Sequence, residues 1–180
     1  YKYIGGICGN KMPVPMMNIL NGGAHASNNI DVQEFMILPV GACCFKEGLR
    51  WCAEVYDSLK KILKKNSLSI AVGDEGGFAP DLSGEEEALD MIVEAIDKAG
   101  YKPGEDFKIS LDVAASEWKG EHTGEYLMPK KNQKYSTDEL IKMWENIVDR
   151  YPIFSIEDPL DEEDWEGWSK ITSAIGSRVR

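Results

Sequence analysis

The side chains best suited to chemistry in this sequence are acids placed at or near the ends of apolar stretches. These acids are Glu34, Asp112, Glu157 and Asp158. Helix-covered parallel strands usually carry their functional groups at the C-terminal strand ends, so the side chains are expected to converge. Convergent unpaired carboxylates repel one another, and a hard divalent cation such as Mg²⁺ would relieve this because it takes oxygen ligands. The alternative is that each acid caps a loop or pairs with a lysine.

The segment 72–80, VGDEGGFAP, places two adjacent acids, Asp74 and Glu75, on a glycine-rich turn. A carboxylic acid on such a turn can approach a substrate closely. Neighbouring acids can raise its pKa until it donates a proton near neutral pH. Taken alone, the turn fits a solvated acidic loop equally well. It is not a phosphate-binding P-loop, because that spacing and the Lys-Ser/Thr ending are absent.

His25 lies in the segment 21–29, NGGAHASNN, in which nearly every residue favours turns. The segment is therefore predicted to be a flexible loop that carries one histidine. A histidine in such a loop is more often a surface residue than a catalyst, so both interpretations stay open. His122, in the turn GEHTGEY, shows no feature of a site.

Apolar periodicity predicts the elements that must position these side chains. Strands are predicted at 12–20, 32–38, 107–113 and 153–159, and helices at 45–65, 83–100, 136–152 and 161–176. The buried stripe expected on the first helix is Phe45, Leu49, Cys52, Tyr56, Leu59 and Leu63. Capping boxes are predicted at two helix starts: Ser83 with Glu86, and Ser136 with Glu139. The order β-β-α-α-β-α-β-α predicts one α/β domain with a mainly parallel sheet, either a barrel or open.

The composition excludes several classes of protein. With 43% hydrophobic and 28% charged residues, the 180-residue chain is typical of soluble globular proteins. A net charge of −11 argues against a broad nucleic-acid surface, which needs a basic stripe. No stretch approaches the roughly 20 apolar residues that span a bilayer, and no signal sequence opens the chain, so no membrane partner is expected. The cysteines are expected to be buried free thiols in a reducing cytoplasm: Cys8, Cys43, Cys44 and Cys52.

Five segments resemble, in order and spacing, motifs of the enolase family. They are LNGGAHASNN, VQEFMI, VGDEGGFAP, SLDVAASEW and SIEDPLDEEDWEGW. The resemblance runs through essentially the whole chain and looks bacterial rather than fungal or animal. It implies an α/β fold, the TIM-like enolase barrel, of which β-β-α-α-β-α-β-α is the first half. Residues 1–180 are accordingly expected to be a partial barrel domain, without the amino-terminal domain and the second half of the barrel.

The resemblance implies Mg²⁺-dependent, reversible dehydration of 2-phosphoglycerate to phosphoenolpyruvate in glycolysis. Asp112 and Glu157 match two of the three carboxylates that hold the first Mg²⁺. Glu75 matches the general acid that assists loss of the 3-hydroxyl, and Glu34 lies beside it at the same end of the substrate. Asp74 is expected to shape the loop. The implied substrate-binding residues are His25, Gln33, Glu34 and Glu157.

The family also uses a third metal carboxylate, a lysine base and a further histidine and lysine that the sequence does not show. The chain alone is therefore expected to be inactive, although the protein it represents is active. One alternative is another Mg²⁺-dependent dehydratase or racemase of the superfamily, which GDEGGFAP and GGAH disfavour. The other is a non-catalytic binding fragment. The resemblance further implies a homo-oligomer in the cytoplasm, with possible cell-surface or secreted forms and secondary binding of plasminogen or RNA-degrading assemblies.

Overall fold

The computed structural model describes all of residues 1–180. Six strands are present: β1 (Met17–Asn21), β2 (Glu34–Leu38), β3 (Lys108–Asp112), β4 (Glu125–Met128), β5 (Gln133–Ser136) and β6 (Ile153–Glu157). The α-helices are α1 (Lys2–Gly5), α2 (Phe45–Lys65), α3 (Glu85–Lys98), α4 (Thr137–Arg150) and α5 (Trp165–Ile175). The predicted order of the main elements is therefore confirmed.

The main sheet has the strand order β1-β2-β3-β6 and does not close into a barrel. Strand β2 runs antiparallel to both β1 and β3, and only β3 and β6 pair in parallel. The prediction of a mainly parallel sheet is therefore wrong for β2. The link 22–33 contains no crossover helix that would return the chain to the other end of the sheet, so β2 reverses direction.

A hairpin of β4 and β5 was not expected from the sequence. The two strands form a separate antiparallel sheet, with Glu125 opposite Ser136 and Met128 opposite Gln133. Tyr126 and Met128 are buried, whereas the facing strand is largely exposed. The pattern is hard to detect because each strand has only four residues and β5 buries none of them.

Helix α2 has the predicted bounds, but its buried face is rotated relative to the predicted stripe. Phe45 and Leu49 are 36% and 49% exposed, and Val55 and Ile62 are buried instead. Cys52, Leu59 and Leu63 are buried as expected.

One of the two predicted capping boxes is present. At α4, the Ser136 hydroxyl accepts from the Glu139 N–H, and the Glu139 carboxylate accepts from the Ser136 N–H. At α3 the predicted box of Ser83 and Glu86 is wrong. The helix begins one residue later than that box requires, and the Glu87 carboxylate accepts from the Ser83 N–H instead.

The cysteines are all free thiols, but only Cys52 is buried. Its burial raises the pKa of the Cys52 thiol to about 12. The expectation of burial is wrong for Cys8, Cys43 and Cys44, which lie in exposed segments outside the helices that cover the sheet. Among the helices, none combines the length and apolar character needed to cross a membrane.

The core lies between the sheet and its covering helices, and Trp144 of α4 occupies one of its largest sites. The indole is fully buried, stacks on Trp118 with ring centroids 6.4 Å apart, and donates to the Pro159 carbonyl at 3.0 Å. Replacing a buried tryptophan by alanine leaves a cavity and an unpaired carbonyl.

We expect Trp144→Ala to lower the free energy of unfolding by about 3–5 kcal/mol. The matched control is Trp165→Ala at a side chain that is 75% exposed, for which a change within about 0.5 kcal/mol is expected. Urea denaturation followed by far-UV circular dichroism measures both variants. Equal decreases in the free energy of unfolding of the two variants would contradict the packing described for Trp144.

Asp164 joins the hairpin to α4 and α5. Its carboxylate is 4% exposed and accepts from the Tyr126 hydroxyl at 2.8 Å, the Thr137 hydroxyl at 2.6 Å and the Gly167 N–H at 3.0 Å. Burial alone would raise the pKa of Asp164, but these three donors together bring it below its ordinary value. The stability that the carboxylate contributes is therefore present above the unfolded pKa and is lost as pH falls through the lower folded pKa.

We expect Asp164→Ala to cost about 2–4 kcal/mol at pH 7, because three donors and a helix cap lose their acceptor. The deficit should shrink at pH values below the ordinary pKa of 3.8, where the wild-type protein also loses this contribution. Urea titrations across that range measure the effect, and Asp57→Ala, at an exposed ion pair with Lys61, is the control. A deficit that stays constant with pH would contradict the prediction.

Candidate active site

The acids predicted to converge form a row across one edge of the main sheet. Glu34 lies opposite Asp112, and Asp112 lies opposite Glu157 in the parallel pairing of β3 and β6. Asn21 at the end of β1 extends the row because it pairs with Glu34. Glu34 is the first residue of its strand, not a C-terminal one. It reaches the same edge because β2 runs antiparallel to its neighbours.

A second set of side chains lies next to this row. His25 Nδ1 is 3.4 Å from Glu34 Oε1, and the possible ligand atoms of His25, Glu34 and Glu75 all lie within 4.8 Å of one another. Gln33 Nε2 donates to Asp112 Oδ2 at 3.1 Å, which fixes one oxygen of that carboxylate. The structure therefore brings together residues from two loops and two strands at one edge.

The electrostatics of the row are those of carboxyl groups without cationic partners. The pKa of Glu34 is raised by burial first and by Asp112 next, although His25 opposes the shift. Burial, followed by neighbouring acids, also raises the pKa of Asp112 and of Glu157. No lysine or arginine forms an ion pair with Glu34, Glu75, Asp112 or Glu157. The alternative of lysine pairing is therefore wrong for these acids.

The glycines of the turn 73–77 let Glu75 approach the row. A Cβ on Gly73 would lie 2.6 Å from the His25 carbonyl, and one on Gly77 would lie 2.5 Å from Asn21 Oδ1. Only glycine permits so close a contact with β1 and the His25 loop. Beyond the turn, the Phe78 N–H donates to Ile19 and the Asn21 N–H donates to Phe78, both at 2.9 Å. Packing therefore requires glycine at positions 73 and 77, whereas Gly76 has open space around it and a positive φ of 82°.

Asp74 and Asp158 stand apart from the closest cluster. Asp74 is exposed, and its N–H donates to the His25 carbonyl at 3.1 Å, so it links the turn to the histidine loop. Asp158 follows the row in a left-handed conformation with φ of 46° and is also exposed. The pKa shifts of Asp112 and Glu157 include repulsion from Asp158, which places its charge near the rim.

Sequence reasoning missed Asn21. This side chain is fully buried, and both its amide nitrogen and its amide oxygen lack a hydrogen-bond partner. In the sequence it is the first residue of a turn-rich segment, where asparagine is common. Only the pairing of Asn21 with Glu34 shows that it belongs to the row, so no local sequence signal could have identified it.

The donors in the row suit a hard cation. Asp112 and Glu157 offer carboxylate oxygens on adjacent parallel strands, and the pKa values of both groups are raised in the absence of a counter-charge. Mg²⁺ is commonly bound by one or two carboxylates together with substrate oxygens. The set of His25, Glu34 and Glu75 includes a nitrogen ligand, which suits Mg²⁺ less well.

The open sheet, its covering helices and its acidic rim define an α/β domain. Residues 9–180 match the family model described as "Enolase, C-terminal TIM barrel domain". The chain therefore belongs to the enolase family and carries sequence of its barrel domain. This match confirms the predicted fold class, and the β-β-α-α-β-α-β-α elements are arranged as part of such a barrel.

Proposed function

We propose that the protein containing this domain catalyses the Mg²⁺-dependent, reversible dehydration of 2-phosphoglycerate to phosphoenolpyruvate. The observation that carries the proposal is the row Glu34–Asp112–Glu157, with Glu75 and His25 beside it at the same edge. Membership of the enolase family supports it. The reaction places negative charge on a substrate that is already anionic, so an acidic rim is compatible with it only if cations are bound there.

Asp112 and Glu157 would hold the Mg²⁺, which supplies positive charge where negative charge develops on the substrate carboxylate. Gln33 contributes by holding one oxygen of the Asp112 carboxylate at 3.1 Å, which restricts the orientation of that ligand. The carboxyl groups must be ionised to bind a cation, and their mutual repulsion is removed when one is bound.

Glu75 is proposed to donate the proton that allows the hydroxyl to leave. As the C–O bond breaks, the departing oxygen takes a proton from Glu75 and is released as water. Glu34 lies beside Glu75 and His25, and its carboxylate, 3.4 Å from the imidazole, orients that ring. His25 is proposed to contact the substrate phosphate from its loop.

The reaction also needs a base that removes the proton from the carbon next to the carboxylate. Glu75 and Glu34 are assigned to the leaving-group side, and no lysine forms an ion pair with them or with Asp112 and Glu157. We assign the base to residues outside 1–180 and propose that residues 1–180 alone do not turn over the substrate. The complete protein would then be required for activity.

Phosphoenolpyruvate formation from 2-phosphoglycerate tests the proposal. We expect the complete protein to form phosphoenolpyruvate in Mg²⁺ and to stop when a chelator is added. Residues 1–180 alone should form none under either condition. Failure of the complete protein in excess Mg²⁺ would contradict the proposal, and turnover of a different hydroxy acid would indicate another reaction of the superfamily.

A further inference from the structure

The His25 loop, defined as residues 22–30, has few backbone hydrogen bonds of its own. Gly22 N–H donates to Gln33, Gly23 N–H donates to Ile30, and His25 N–H donates to Gly22. From residue 26 to residue 29, no backbone N–H donates to a backbone carbonyl. The half of the loop that follows His25 therefore depends on side chains from elsewhere for its position.

Lys130, in the turn between β4 and β5, supplies such an anchor. Its Nζ donates to the Ala26 carbonyl at 2.8 Å and lies 3.3 Å from Asn28 Oδ1. The Ala26 carbonyl accepts from no backbone N–H. Asn28 in turn donates to the carbonyls of Asn21 and Pro80, both at 2.9 Å. One ammonium group thus holds the residue that directly follows His25.

The backbone of the turn that carries Lys130 is also held in place. Asp31 is 1% exposed, and its carboxylate accepts from the Lys130 N–H at 2.8 Å and the Lys131 N–H at 3.2 Å. Lys131 forms an ion pair with Glu85, whose carboxylate accepts from the Asp31 N–H at 3.3 Å. The backbone of the hairpin turn is therefore held by the residue that follows the His25 loop, and Lys130 reaches back to the middle of the loop.

Lys130 is unusual among the lysines because it binds neutral oxygens. It forms no ion pair, and burial lowers the pKa of its ammonium group, although Asp31 and Asp81 oppose this shift. Placing a partly buried ammonium on two neutral acceptors is costly, and an exposed lysine would serve a hairpin turn as well. Both acceptors, the Ala26 carbonyl and Asn28 Oδ1, belong to the His25 loop, so the arrangement is best explained by a role in positioning that loop.

We propose that Lys130 is a positioning residue that holds the His25 loop against the acidic rim, so that the imidazole faces Glu34. Its importance for catalysis rests on the proposed function, but its effect on the loop does not. The hairpin then has a role beyond covering the core: its turn sets the geometry of a loop that approaches the substrate. Lys130 acts through His25 and does not itself contact the reacting atoms.

Amide hydrogen exchange of Lys130→Met tests this proposal without any need for activity. Methionine keeps the length of the side chain but cannot donate, so exchange at Gly23, His25 and Asp74, whose N–H groups bond within or to the loop, should be about 10-fold to 100-fold faster. Lys134→Met, at an exposed lysine of the same hairpin, should leave those amides unchanged. Lys130→Arg retains a cationic donor and should restore most of the protection.

In the complete protein, NMR signals assigned to His25 and His122, the two histidines of residues 1–180, distinguish the loop from the rest of the molecule. The His25 imidazole signal of Lys130→Met should move towards the position of an unstructured histidine, while the His122 signal stays in place. An unchanged loop in Lys130→Met would overturn the proposal. Uniformly faster exchange that includes α4, or failure of the variant to fold, would also overturn it, because Lys130 would then serve the whole fold. Loss of the proposed reaction in the wild-type protein would leave these results unaffected.

Discussion

Asp112→Asn is expected to abolish the stabilisation of the domain by Mg²⁺. In the wild-type protein, Mg²⁺ at about 100 times its dissociation constant should raise the free energy of unfolding by about 2.7 kcal/mol, because the ion binds the folded state. Asp112 lies between Glu34 and Glu157 in the row, so every carboxylate pair that could hold the ion across adjacent strands includes it. An amide keeps the shape of the side chain but removes the charge that the cation requires.

The same variant should be more stable than the wild-type protein when a chelator is present. Folding raises the pKa of Asp112, so the folded state binds more protons than the unfolded state as pH rises above the unfolded pKa. Ionisation therefore makes a destabilising contribution that is complete above the raised folded pKa and absent below the unfolded pKa. Asparagine removes this contribution, so the sign of the change in stability at neutral pH is positive.

Thermal unfolding with Mg²⁺ and with chelator measures both effects, with Asp97→Asn on the exposed surface of α3 as the control. The control should keep the full response to Mg²⁺. Two results would contradict the account: a wild-type response to Mg²⁺ in Asp112→Asn, or a lower midpoint of this variant in chelator. The opposite signs in the two conditions separate a metal ligand from a residue that merely stabilises the fold.

Glu75→Gln is expected to lower kcat of the complete protein about 10²-fold to 10⁴-fold, because general acid catalysis contributes rate enhancements of this size. Glutamine keeps the length of the side chain and its place in the turn but has no proton to donate to the leaving hydroxyl. The KM should change little, since Glu75 is exposed at the edge of the cluster and its proposed interaction is made in the transition state.

Asp74→Asn is the matched control for Glu75→Gln. Asp74 contacts the His25 loop through its backbone N–H, and the substitution leaves that hydrogen bond in place. Its effect on kcat should stay below about tenfold, because no proton transfer is assigned to it. Steady-state kinetics of phosphoenolpyruvate formation measure both variants. Similar losses in kcat for Asp74→Asn and Glu75→Gln would contradict the assignment of the general acid to Glu75.

The elements predicted correctly were those with a strong local signal in the sequence, either a long apolar periodicity or a capping box. Helix α2 has the predicted bounds because its periodic apolar residues extend over 21 positions. Helix α4 was predicted from a capping box that is present. The direction of β2 and the β4–β5 hairpin were missed. A strand's direction depends on how the chain returns to the sheet, and the short hairpin strands carry too few buried residues to show alternation.

The site could be predicted in its residue types but not in its arrangement. Acids at predicted strand ends identified the row, yet the position of Glu34 in it depends on the reversal of β2. Lys130 contacts Ala26 across 104 positions of sequence, and no spacing rule relates two residues so far apart. Such contacts follow from the packing of the hairpin on the sheet, so only the folded chain shows them.

In the proposed function, the acidic rim holds a divalent cation between Asp112 and Glu157. Crystals of the complete protein grown with Mn²⁺ in place of Mg²⁺ test it most directly, because anomalous scattering locates the ion independently of any model of its ligands. We predict an anomalous peak within coordination distance of the Asp112 and Glu157 carboxylates, absent from Asp112→Asn crystals. A peak that is held by other residues, or no peak at the rim of a protein saturated with Mn²⁺, would contradict the account.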